Sequence, residues 1–131
     1  KIALKNVLVV DDDSDYNFLT NVSFAETGLD CKLVFKERAK DALTYLEENS
    51  KSFPDLILLD INMPVMNGWE FLEEYQKRKY HSLQKTLIIM LSSSVYHEDK
   101  EKAKTFHRVI EYIEKPLSCD LIQHIKNNYF A

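Results

Sequence analysis

Apolar residues gather in five short runs, at positions 7–10, 31–35, 56–59, 87–91 and 109–113. Each run is continuous rather than alternating, which suits strands buried on both faces of a parallel sheet. Between the runs, apolar positions recur at helical spacing. Phe18, Leu19, Val22 and Ala25 share one face of a first helix, with Gly28 as its C-terminal stop. Ala39, Ala42, Leu43 and Leu46 make a second stripe. Trp69, Leu72 and Tyr75 or Gln76 follow Asn67-Gly68 in a third. Residues 97–106 read as a short charged helix with Ala103 and Phe106 inward. Leu117 or Ser118 starts the last helix, which carries Leu121, Ile122 and Ile125. Strand and helix thus alternate five times. The right-handed crossover rule then predicts an α/β fold, a (βα)5 doubly wound five-stranded parallel sheet with helices on both faces.

Four polar groups fall at the carboxyl ends of four of these strands. They are Asp11-Asp12 after the first, Asp60 after the third, Ser92-Ser93 after the fourth and Lys115-Pro116 after the fifth. In a doubly wound sheet those ends share one edge, and the first and third strands flank the switch point where ligands bind. Taken singly, each has a plainer reading. An Asp after a strand is usually a helix N-cap. Ser92-Ser93-Ser94 could cap the next helix, and Lys115-Pro116 could be a turn. Their joint occurrence at matching strand ends is what points to chemistry.

That chemistry is coherent. Three close carboxylates repel one another and need a cation, and all-oxygen ligation with few protein groups favours Mg²⁺. A strand-end carboxylate such as Asp60 can serve as nucleophile and form an acyl phosphate. The metal and the Lys115 ammonium can neutralise the transferred phosphoryl group from two sides, with the Ser92 hydroxyl donating to a third oxygen. No histidine or cysteine is needed as base, because the nucleophile is already ionised.

Composition narrows the setting. The chain has 131 residues, 45% hydrophobic and 29% charged, which suits one soluble domain over 1–131. A net charge of -4 argues against direct nucleic-acid binding. Lys77-Arg78-Lys79 is the only compact basic run, and it reads as a helix end where cations suit the dipole. No apolar run approaches the ~20 residues of a membrane span. No signal peptide opens the chain, so the expected location is cytoplasmic, away from the membrane. Cys31 and Cys119 form no CxxC and read as reduced thiols. Beginning at Lys1 without Met, the chain reads as trimmed, and an output domain beyond Ala131 stays open.

The pieces Val-Val-Asp-Asp-Asp, Leu-Leu-Asp-Ile-Asn-Met-Pro-Val-Met-Asn-Gly, Leu-Ser-Ser and Tyr-Ile-Glu-Lys-Pro closely resemble the receiver domain of two-component response regulators, the CheY-like family. The resemblance runs from Val7 to about Tyr129 and implies the flavodoxin-like strand order 2-1-3-4-5. It further implies roles. Asp60 is the phosphoacceptor. Asp12 binds Mg²⁺ directly, Asp11 mainly through water, and Asn62 through its backbone carbonyl. Lys115 grips the phosphoryl group, and the Lys115-Pro116 bond is cis. Ser92 is the switch hydroxyl and Tyr112 the switch aromatic. Asn62 and Ser94 occupy variable positions that tune the lifetime of the phosphate.

The implied partner upstream is a sensor histidine kinase or phosphotransfer protein. Downstream is an unidentified protein that meets the surface of the fourth helix, fifth strand and fifth helix. Homodimerisation through that face is open. Such a domain is no turnover enzyme and catalyses only its own aspartyl phosphorylation and dephosphorylation.

Three other readings compete. A haloacid-dehalogenase-like phosphatase wants a second Asp two residues after the nucleophile, and here Asn62 stands there. A phosphate-independent interaction module does not need the intact acidic set. A flavodoxin-like cofactor site would place its anion against Asp11-Asp12-Asp13. Of the remaining residues, Asp13 reads as a cap or solvated charge. His81, His97, His107 and His124 share no zinc-like spacing. His97-Glu98-Asp99-Lys100 reads as the first turn of a helix. Trp69 has packing as its default role and lies near enough to Asp60 in sequence to report optically. Tyr96, Phe106 and Tyr112 are residues that could line a partner surface, with a core role equally open for Phe106.

Overall fold

Strand and helix alternate along the chain, save that two helices follow the third strand. A computed structural model describes residues 1–93 and 96–131. Its elements are β1 (Asn6–Val10), α1 (Ser14–Thr27), β2 (Lys32–Lys36), α2 (Ala39–Glu48), β3 (Leu56–Asp60), α3 (Gly68–Lys77), α4 (Tyr80–Leu83), β4 (Leu87–Ser92), α5 (His97–Ala103), β5 (Val109–Glu114) and α6 (Cys119–Tyr129). The expected fourth and fifth helices are therefore α5 and α6. All strand pairings are parallel and the sheet runs β2-β1-β3-β4-β5.

The continuous apolar runs have a simple cause. Successive side chains of a strand point to opposite faces, and both faces are covered. Leu8, Val10, Ile57, Leu59, Ile88 and Met90 pack with Ala42, Leu46, Phe71 and Leu72 of α2 and α3. Val7, Val9, Leu56, Leu58, Ile89 and Leu91 pack on the other side with Phe24 of α1 and with Ile122 and Ile125 of α6. Central β3 is buried at every position, Asp60 included.

Helix ends follow from their residues. Gly28 closes α1 at φ 73, in the left-handed region that glycine enters without strain. Asn67 and Glu70 form a reciprocal capping box on α3. The basic run Lys77-Arg78-Lys79 does close α3, with Arg78 as its C-cap beside Glu74. Ser118 caps α6, its Oγ accepting from the Leu121 N–H at 3.1 Å. We expect Ser118→Ala to lower stability by about 1 kcal/mol, read as a shifted denaturation midpoint at unchanged slope.

Two expectations need correction. The apolar stripe of α1 does not face inward: Phe18 and Leu19 are 67% and 48% exposed, and Asn17, Thr20 and Phe24 are the buried residues. The inward face near the sheet edge is polar because Asn17 hydrogen-bonds there, which turns Phe18 and Leu19 outward. A sixth helix, α4, also stands between α3 and β4. It follows Lys79 at φ 62 and is pinned by rings, with Tyr80 edge-on to Phe53 and Tyr75 at 4.8 and 5.3 Å between centroids. The Arg108 Nε also donates to the His81 carbonyl at 2.9 Å.

The chain ends lie together. The Ala131 N–H donates to the Ile2 carbonyl at 2.8 Å, Lys1 Nζ donates to the Asn128 carbonyl, and Leu4 and Phe130 are buried beneath them. Cys31 and Cys119 are free, half-buried thiols. Burial pushes the Cys31 thiol up, helped by the nearby charges of Asp30 and Asp55.

Candidate functional site

Sheet register brings the acids together. Val10 pairs with Leu59, so the residues that follow, Asp11 and Asp60, stand side by side at the strand ends. Both are buried, whereas Asp12 faces solvent. The acidic run divides its work. Asp13 is the N-cap of α1 and accepts from the Asp15 and Tyr16 N–H groups at 3.0 and 3.3 Å, the plainer role expected of it. Asp11 Oδ1 accepts from the Asp13 N–H at 3.0 Å. Asn17 Nδ2 donates to the Asp11 carbonyl at 3.0 Å. The start of α1 thus orients Asp11 and leaves its second oxygen free to face the strand ends.

Asp60 is held by its main chain. The Ile61 N–H donates to the Leu91 carbonyl at 3.2 Å, and the Gly68 N–H donates to the Ile61 carbonyl at 2.8 Å. A Cβ on Gly68 would fall 2.7 Å from the Asp60 carbonyl oxygen and 2.9 Å from the Ile61 Cα. Here glycine is required for space, so that α3 can begin against the acid. Val65, at φ 69, makes the turn between them, a strained conformation for a β-branched residue.

Lys115 enters from the end of β5, next to the cis bond to Pro116. Its N–H donates to the Ser92 carbonyl at 2.8 Å. Its Nζ lies 2.6 Å from Asp11 Oδ2 and 3.4 Å from Asp60 Oδ1, with the side chain 6% exposed. The Tyr16 ring centroid is 4.4 Å from the same nitrogen. Burial pushes the Asp60 carboxyl up to about 6, and the Asp11 charge adds to this, against the pull of Lys115 and of a backbone hydrogen bond from Asn62. For Lys115, burial works to lower the ammonium, but the hydrogen bond and charge of Asp11, and then those of Asp60, outweigh it. The lysine is held above its ordinary range and stays charged.

One ammonium cannot balance this cluster. Asp11, Asp12 and Asp60 offer oxygens within 4.8 Å of one another. An all-oxygen set with one solvent-facing member suits Mg²⁺, which binds through few carboxylates and keeps several waters. The set also suits phosphoryl chemistry, since a buried carboxylate nucleophile and a charged lysine face the same space.

Ser92 and Tyr112 are linked. Ser92 is buried at the end of β4, and its side chain favours the charged form of the Tyr112 phenol. The Tyr112 hydroxyl donates to Asp99 Oδ2 on α5 at 3.4 Å. Burial pushes this phenol up, Ser92 opposing and the Asp99 charge adding. Trp69 is stacked on Phe106 at 6.1 Å between centroids, with Lys102 Nζ 4.7 Å from its ring centroid. That is a packing role, and Phe106 shares it. Tyr96 is exposed. Asn62 is exposed directly after Ile61, and Ser94 lies outside the described residues. Three features around the acids were not foreseen: Tyr16 and Asn17, for which no local signal exists, and the spatial demand on Gly68, visible beforehand only as a turn glycine.

The model of the response regulator receiver domain family matches residues 7–126. The chain belongs to that family. Receivers are the phosphorylation-dependent switches of two-component systems and are not turnover enzymes, and they generally bind Mg²⁺ at an acidic pocket. This receiver is 34% identical over 117 residues to the DNA-binding transcriptional regulator NtrC of Proteus hauseri, covering 88% of the chain but 22% of that relative. It is 29% identical to a probable methanogenesis regulatory protein, FilR2, of Methanothrix harundinacea, over 87% of the chain and 74% of that protein.

Among solved structures, a two-component response regulator from Cytophaga hutchinsonii superposes with a TM-score of 0.87. It is 29% identical and covers 95% of this chain and 96% of that one. The Mn²⁺-bound form of response regulator Rcp1 superposes with a TM-score of 0.74 at 26% identity, over 94% and 90% of the two chains. Among the described residues of this receiver, no helix is long and apolar enough to cross a membrane.

Proposed function

We propose that this receiver accepts a phosphoryl group on Asp60 from a histidine kinase or a phosphotransfer protein, with Mg²⁺ bound at Asp11, Asp12, Asp60 and the Asn62 backbone carbonyl. The observation that carries this reading is the convergence of Asp11 and Asp60 on the Lys115 ammonium at 2.6 and 3.4 Å. The cation-bound neighbour supports the metal assignment by analogy. The ion supplies charge neutralisation and orientation of phosphoryl oxygens when bound.

The residues of the chain do the rest. An Asp60 carboxylate oxygen attacks phosphorus, and the bond from phosphorus to the donor nitrogen or oxygen breaks, its electron pair leaving with the donor. Lys115 exchanges Asp60 Oδ1 for a phosphoryl oxygen. Ser92 donates to another. Because the Ser92 side chain also acts on the Tyr112 phenol, moving its hydroxyl to the phosphate changes the phenol's surroundings, and Tyr112 bonds Asp99 on α5. Phosphorylation at one edge thereby biases the surface of α5, β5 and α6 toward a different partner affinity. The receiver acts in the cytoplasm as a single domain over 1–131, without direct nucleic-acid binding.

The test is intact mass after incubation with acetyl phosphate. We expect one added phosphoryl group in Mg²⁺ and none with chelator. No adduct in Mg²⁺, under conditions that exclude rapid hydrolysis, would instead favour the phosphate-independent module.

A further inference from the structure

We propose that Tyr16 is a positioning residue for Lys115: its aromatic face holds the ammonium in place while that group exchanges a carboxylate oxygen for a phosphoryl oxygen. The inference rests on the reading of Asp60 as phosphoacceptor and adds to it a residue outside the acid, hydroxyl and lysine set.

Four residues close a ring of contacts. Asp11 Oδ1 accepts from the Asp13 N–H. Asp13 Oδ1 accepts from the Tyr16 N–H. The Tyr16 ring lies against Lys115 Nζ at 4.4 Å. Lys115 Nζ returns to Asp11 Oδ2 at 2.6 Å. The helix cap thus fixes the backbone that carries the ring, and the ring meets the same ammonium that the cap's neighbour binds. Tyr16 is half-buried at the first turn of α1, held by that cap and not by the core.

An aromatic face suits this place for a chemical reason. The ammonium has three N–H donors and no acceptor. Asp11 and Asp60 take two of them. A third carboxylate or amide would compete with the incoming phosphoryl group for a donor. A ring attracts the cation through its quadrupole and excludes water on that side. It therefore holds the charged end without fixing which oxygens it serves. When Asp60 Oδ1 becomes part of the acyl phosphate, the lysine can change partners without losing its seat. Removing the ring leaves a flexible four-carbon stem whose head must be reordered in the transition state.

The test is a series, Tyr16→Phe, Tyr16→Trp and Tyr16→Leu, on the full chain. Two readouts are taken. The first is the ring-current shift of the Lys115 ε-methylene protons by NMR, which reports the contact with no phosphorylation. The second is the rate of acetyl phosphate labelling at saturating Mg²⁺, beside the Mg²⁺ affinity.

We expect Tyr16→Leu to abolish the ring-current shift and slow labelling about three- to tenfold, with Mg²⁺ affinity within about twofold. Tyr16→Phe should keep both, and Tyr16→Trp should match or exceed the native rate. Wild-type labelling by Tyr16→Leu would overturn the proposal. So would Tyr16→Phe as slow as Tyr16→Leu, which would assign the role to the hydroxyl. A slowing of Tyr16→Leu matched by equal loss of Mg²⁺ affinity would assign it to collapse of the acid cluster. No labelling of the native chain would sink the phosphoacceptor reading and the role with it, while the NMR shift still tells whether the contact exists.

Discussion

Asp60→Asn is expected to end phosphoryl acceptance and, at the same time, to stabilise the metal-free fold at neutral pH. The first effect follows from losing the nucleophile. Intact mass after acetyl phosphate treatment should show no adduct, a drop of several orders of magnitude in labelling rate. Persistent labelling at the native rate would move the acceptor to another residue.

The second effect follows from burial. The Asp60 carboxyl sits at about 6 in the folded chain against an ordinary 3.8, pushed up first by burial and then by the Asp11 charge. The native state therefore binds the Asp60 proton more tightly than the unfolded state does. That contribution to stability is fully present below 3.8 and is lost as pH rises through about 6. At pH 7 the native protein carries the whole penalty, at most about 3 kcal/mol and nearer 1–2 kcal/mol with water at the mouth of the site. Asparagine removes it, and Asp11 still pairs with Lys115.

Denaturant titrations without metal should show the mutant more stable at pH 7 and the difference fading toward pH 4. A mutant less stable at pH 7 would contradict the electrostatics. Adding Mg²⁺ should stabilise the native chain and do little for the mutant.

Gly68→Ala is expected to have the other large effect. One added methyl group would stand 2.7 Å from the Asp60 carbonyl oxygen, and the three atoms nearest to it are all backbone. Either the first turn of α3 or the end of β3 must move. Overpacking of this kind costs about 1–3 kcal/mol, and displacement of a reacting group by about 1 Å can slow chemistry about 100-fold. We expect a lower melting temperature together with a labelling rate down about 10- to 100-fold, while Mg²⁺ stabilisation weakens. An alanine variant with native kinetics would show that Asp60 tolerates movement of its strand end.

The central strands were readable because their burial is nearly complete. A run such as Leu56-Ile57-Leu58-Leu59 has no polar face, and only a sheet covered on both sides uses one. Asp60 was readable because a carboxylate that ends such a run lies at the sheet edge by topology alone. Where interior contacts are polar, pattern failed. Phe18 and Leu19 imitate an inward stripe, yet Asn17 takes the inner face through its bond to the Asp11 carbonyl. Four-residue α4 is too short to show a period, and its rings meet partners on α3 and in the loop before β3. Tyr16 reaches Lys115 across 99 positions of chain, with Asp13 setting its backbone. No spacing encodes such a pair.

The meeting of Ile2 with Ala131 has a use outside signalling. With the two ends joined by a hydrogen bond of 2.8 Å, a linker of a few glycines would close the backbone into a circle, and a new opening in an exposed turn, such as residues 49–52, would yield a permuted chain with both buried layers intact. The same adjacency would let the unit be spliced into a surface loop of a host protein without forcing the two ends of that loop apart.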